Sequence, residues 1–146
     1  MIAHTIQLAL APVFVLVAIG NIMNILSTRL GRIVDRARAL QKLHGETTGK
    51  AHDLVVLEMR AVDQRIRLNT EAIRVLVLAG LGIGTTVAIL FVEEMFDYKL
   101  ERVAGVFFLL AITLLMWGLW LFLRETQVAA SILRIPEDYL ESHRDL

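Results

Sequence analysis

Gln7, Asn21, Asn24, Thr28, Arg32 and Asp35 are separated by steps of three, four or a multiple of seven residues. On a helix such steps gather side chains along one stripe. Amides, a hydroxyl and then alternating charge are the groups that line a wet passage, where each can replace part of an ion's hydration shell. Arg38 and Lys42 prolong the stripe beyond Asp35. The same pattern also describes the solvated side of an amphipathic helix. Arg29 and Arg32 would favour anions at one mouth, whereas Asp35 and the acidic group Glu93, Glu94, Asp97 and Glu101 would favour cations, so the pattern leaves ion selectivity open.

Two other groups could carry function. Gly80, Gly84 and Ala88 recur every four residues, a small-residue face on which helix backbones can approach closely in lipid. His44, His52 and Asp53 could hold a divalent cation, yet two imidazoles and a carboxylate beside a turn are also ordinary surface content, and no metal or other cofactor is expected. Gly80-x-Gly82-x-Gly84 lacks the Lys-Ser/Thr of a phosphate loop and lies within an apolar run. The sequence has no Ser/His/Asp set and no metal-binding helix motif, so an enzyme is not expected.

The elements that hold these residues are read from where charge is absent. Of 146 residues, 56% are apolar and 21% charged, with 15 basic against 15 acidic side chains and no cysteine. This balance argues against a nucleic-acid binder, a disulfide scaffold and a disordered tail. Apart from His4, no ionisable side chain occurs from Met1 to Thr28, nor any from Val75 to Val92 or from Val103 to Leu123. Each run approaches the roughly 20 helical residues that cross a hydrocarbon core. The expected class is all-α, an integral membrane protein with three transmembrane helices: 2–24, 75–92 and 103–123. An outer loop would occupy 93–102 and a cytoplasmic tail 124–146.

Ten of the fifteen Lys and Arg lie between Arg29 and Arg74, three more follow the third run, and only Lys99 and Arg102 fall between the second and third. The excess of basic residues on cytoplasmic loops then predicts an N-terminus outside and a C-terminus inside. Trp117 and Trp120 just before Arg124 fit a headgroup boundary. Residues 25–74 carry helical periodicity, with Leu26, Leu30, Ile33, Ala37 and Leu40 on one arm and Leu54, Leu57, Ala61, Leu68 and Ala72 on the other. They predict a long cytoplasmic antiparallel hairpin that extends helices 1 and 2, turning at 44–50, with Gly45 as a C-terminal cap and Thr47 or Thr48 as an N-cap.

Four stretches also resemble a known family. They are Gln7 to Phe14 with Leu26-Ser27-Thr28-Arg29-Leu30-Gly31-Arg32-Ile33-Val34-Asp35-Arg36-Ala37-Arg38, then Arg65-Ile66-Arg67-Leu68-Asn69, and Leu121-Phe122-Leu123-Arg124-Glu125. In these the chain is similar to the bacterial membrane proteins grouped as domain of unknown function 2721. The resemblance implies a small three-span protein of the bacterial inner membrane, and it supplies no catalytic residue.

Two functions fit these readings. One is a homo-oligomeric ion channel or pore lined by helix 1, with Asn21, Asn24 and Thr28 as its polar constriction. The other is a membrane scaffold or accessory subunit of a larger complex that docks partners through the cytoplasmic hairpin, a membrane-protein partner among the candidates. Membrane lipid is an expected partner in both and nucleic acid in neither.

Overall fold

The computed structural model describes residues 2–132 as three helices: α1 (Ile2–Glu46), α2 (Lys50–Phe96) and α3 (Glu101–Ile132). No strand occurs among the described residues. At 1.5 Å per residue α1 and α2 are each about 70 Å long, roughly twice the thickness of a hydrocarbon core. Each contains an 18-residue stretch apolar enough to cross a membrane, as does α3, with mean hydropathies of 2.1, 2.5 and 2.5 in chain order. α1 continues as helix through Pro12 and out of the apolar stretch into the charged one.

The packing follows a seven-residue repeat. α1 buries Thr5, Pro12, Ile19, Leu26, Ile33 and Leu40, each seven residues from the last, with Ala9 beside them. α2 answers with Val62, Asn69, Leu76 and Ile83, interleaved with Ala72, Ala79 and Thr86. Alternating steps of three and four keep one seam facing a neighbour along a long helix, which a 3.6-residue pattern would let drift away. The register is therefore shared by two apolar clusters, one in the apolar segment around Ile19, Leu76 and Ile83 and one in the polar hairpin around Ile33, Leu40 and Val62.

α3 packs along α2 and scarcely touches α1. Its buried face is also sevenfold, with Ala104, Ala111, Gly118 and Glu125, and three of these four are small. A Cβ at Gly82 would lie 3.1 Å from the Ala111 Cβ, and one at Gly118 would lie 2.9 Å from Leu76 Cδ2. The two helices thus approach through missing side chains, the packing that favours association in lipid, where water exclusion gives no drive.

The described helices adjust several sequence expectations. Gly45 lies within α1 with open space around it; the glycine that turns the chain is Gly49, whose φ of 67° begins α2 without a side-chain cap. The Thr47 hydroxyl caps in the opposite sense, donating to the Leu43 carbonyl at 2.7 Å. The α1 arm buries Leu26, Ile33 and Leu40 as expected. On α2, however, Leu54 and Leu57 are 67% and 60% exposed, and the partner of the α1 arm is the neighbouring row Val55, Met59, Val62 and Ile66. α3 also continues as helix to Ile132, through the first part of the expected tail. Arg134 and Arg144, used in the charge count, lie outside the described residues.

Exposed large apolar side chains are concentrated on the segments expected to meet lipid, among them Phe14 and Val17, Leu78 and Leu81, Leu109 and Leu110. Arg124 stacks its guanidinium 4.9 Å from the Trp120 ring centre, an aromatic and basic pair suited to a headgroup boundary. The close α2–α3 contact makes a testable distinction between glycines. Gly118→Ala must displace the fully buried Leu76 and is expected to lower stability by about 1–3 kcal/mol, while Gly84→Ala, with nothing within 4 Å, stays near neutral. Thermal unfolding of both variants in one detergent measures the difference.

Candidate functional site

The polar stripe of α1 lies on its open side. Gln7, Asn21, Asn24, Thr28, Arg32 and Asp35 are all exposed, covered by neither α2 nor α3. Thr28 donates its hydroxyl to the Asn24 carbonyl at 3.0 Å, so that donor is satisfied within the helix. Between Gln7 and Asn21 the same seven-residue register places Phe14, 70% exposed, with Leu10 and Val17 exposed beside it. The stripe is consequently polar at both ends of the apolar segment and apolar across its middle.

The small-residue face divides in a similar way. Gly80 faces α1, where an added Cβ would lie 3.6 Å from Leu16 Cδ1, whereas Gly84 and Ala88 are exposed. At the hairpin tip the His44 and His52 rings lie 4.4 Å apart, tilted by 55°. Among the described residues, no three His, Cys, Asp or Glu side chains converge on a position suited to a metal, so Asp53 does not complete a ligand set with the two imidazoles.

The most concentrated polar chemistry lies elsewhere, at the level where α1 and α2 leave their apolar stretches. Glu125 of α3 is fully buried. Arg65 of α2 donates through Nε to its Oε1 at 2.9 Å, and an Arg29 terminal nitrogen of α1 lies 2.7 Å from its Oε2. The second contact is a charge pair without the alignment of a hydrogen bond, and Arg29 Nε has no acceptor among the described residues. The Arg29 guanidinium also covers the Phe122 ring at 5.2 Å. One carboxylate thereby joins all three helices.

The local sequence explains how it gets there. Glu125 occupies the same sevenfold position as Ala104, Ala111 and Gly118, so the close approach that those small residues permit carries its carboxylate against α2. An isolated buried carboxylate costs several kcal/mol, a penalty that two guanidiniums offset here. One turn along the α2 seam, Asn69 is also fully buried, with both Oδ1 and Nδ2 unpartnered among the described residues. It interrupts the otherwise apolar row Val62, Leu76 and Ile83. A polar side chain at such a position lowers stability and fixes the register in which helices pair.

Exposed pairs differ in kind from this cluster. Arg36 donates through Nε to Glu58 Oε1 at 2.7 Å across the hairpin, where the arginine is exposed and the carboxylate half-buried. At the opposite end of the bundle Thr5 donates to Glu94 Oε2 at 3.0 Å. A cleft of about 450 Å³ opens nearby between α1 and α3, with Leu8, Pro12, Leu90 and Phe108 among its walls.

Residue-type arguments about pores and metals passed over Glu125, Arg29 and Arg65 as a set. A usable signal was present, since the Ala104, Ala111, Gly118 and Glu125 spacing continues the α3 seam through a charge that looks like a membrane exit. Replacing Glu125 by alanine leaves two partly shielded guanidiniums unpaired, with side chains 31% and 22% exposed. The expected loss is about 2–3 kcal/mol, below the range for fully buried pairs because some water reaches both. Arg36→Ala is expected to cost less than about 1 kcal/mol. Chemical or thermal unfolding of the two variants side by side measures the contrast.

The family described as Protein of unknown function (DUF2721) matches residues 9–135. No curated protein and no solved structure matches the chain.

Proposed function

The chain belongs to the DUF2721 family of proteins of unknown function, and from that premise we propose that it is a membrane-anchored scaffold. In this reading three helices hold it in the bacterial inner membrane, N-terminus outside, and the α1–α2 hairpin projects into the cytoplasm as a rigid docking rod. The observation that carries the reading is continuity: α1 and α2 each pass from the apolar bundle into the hairpin as one helix, and the sevenfold seam keeps its register on both sides of Asn69. Glu125 braces that seam where it leaves the apolar segment. From Arg29 to Glu46 the projecting arm measures about 26 Å at 1.5 Å per residue. Leu54 and Leu57, one turn apart and exposed near its tip, give a partner an apolar foothold.

A pore lined by α1 in a homo-oligomer is the second reading, favoured by the exposure of Asn21, Asn24 and Thr28 on one open face. Phe14, Leu10 and Val17 weigh against it, because a ring of them would interrupt the water column at the middle of the apolar segment. Gly84 and Ala88 remain open for a contact between copies in either arrangement.

A photo-crosslinker at Leu57 in living cells is expected to capture one second protein in stoichiometric yield, and Leu54→Ser is expected to abolish the capture. Retrieval of self-copies alone would count against the scaffold. The pore makes a separate demand: purified protein in liposomes passes ions, and Asn24→Leu reduces that flux. Absence of flux across salts and voltages removes it.

A further inference from the structure

Beside Glu125, the surface between α1 and α2 forms a pocket of about 240 Å³ lined by Arg29, Arg32, Ile33 and Arg65. Three guanidiniums and one carboxylate meet around it, and the charge does not balance. Glu125 is already engaged by Arg29 and Arg65, leaving one positive charge over, and Arg32 adds another without an acidic partner among the described residues. Arg29 Nε is buried and also lacks an acceptor. Guanidinium donors with unused capacity around a concave site are matched by a phosphate, whose oxygens accept several charge-assisted hydrogen bonds together.

Depth selects the source of that phosphate. If the hydrocarbon ends near Asn24, the limit of the expected first span, Arg29 lies about 7.5 Å further along α1. A phospholipid headgroup layer adds roughly 5–8 Å per leaflet beyond the hydrocarbon. Trp117 and Trp120, with Arg124 over the latter, occupy the adjoining part of α3. Basic pockets between helices at this level are suited to anionic lipid headgroups.

We propose that the pocket formed by Arg29, Arg32 and Arg65 binds the phosphate headgroup of an anionic phospholipid from the leaflet that the hairpin leaves. Arg32 supplies the free charge, and Glu125 holds the other two guanidiniums at the pocket wall. Ile33 gives the site an apolar side. The site depends on the membrane placement of the three helices but not on the scaffold or pore readings.

Native mass spectrometry of the full chain, released from a mild detergent with added phosphatidylglycerol or phosphatidylcholine, tests the proposal. Phosphatidylglycerol is expected to remain bound at least about fivefold more than phosphatidylcholine. Arg32→Ala is expected to abolish that preference, Arg32→Lys to retain part of it, and Arg38→Ala, a solvated arginine on the same helix, to leave it intact. Inorganic phosphate at equal concentration is expected not to displace the lipid. Equal retention of the two lipids, an unchanged preference in Arg32→Ala, or displacement by inorganic phosphate would overturn the proposal, the last by making the pocket a free-anion site. Should Arg32→Ala fail to fold, high salt applied to the unaltered chain decides: the preference must fall, and persistence overturns the assignment. A chain that stays dispersed without detergent and retains neither lipid would overturn the membrane placement, and the pocket with it.

Discussion

Where the three helices leave their most apolar stretches, one carboxylate meets two guanidiniums, each group drawn from a different helix. A lone Glu125 at that depth would be costly; Arg29 and Arg65 make it tolerable, and in doing so they tie α1 and α3, which otherwise scarcely touch, to the same point on α2. Small residues earlier on α3 set the distance at which this can happen. Gly118 and Ala111 bring the helix close, and Glu125 follows on the same face. Charge pairing and close backbone packing are thus consequences of one sevenfold pattern.

That pattern spans an apolar and a polar part of the same two helices. In the apolar segments its seam is filled by Ile19, Leu76 and Ile83, and in the hairpin by Ile33, Leu40 and Val62. With the apolar segments in lipid, packing would drive the first, whereas burial from water would add to the second. A common register lets both operate on the same two helices without a hinge between them.

The fold was legible in the sequence to the extent that charge was segregated. Three uncharged runs fixed three apolar helices, and the row from Leu26 to Leu40 gave the α1 face because no second apolar row competes with it. On α2 two rows compete, and the leucines at 54 and 57 outweighed Val55, Met59 and Val62, although the latter hold the seam. Asn69 obscured that seam further by placing an amide within it. Glu125 was harder still, because a charge directly after an apolar run reads as the end of a membrane helix, while its burial depends on two arginines far away in sequence. The stretches that carry the family resemblance include Arg29, Arg65, Asn69 and Glu125, although their spacing gives no sign that they meet.

The Glu125 cluster is expected to fix the hairpin relative to the bundle. Spin labels at the exposed positions Lys42 and Gln127 report that relation directly through their distance distribution in lipid nanodiscs. A single narrow distribution is expected for the unaltered cluster, and a clearly broadened one for Glu125→Ala with helical content retained. An equally narrow distribution in both would contradict the account.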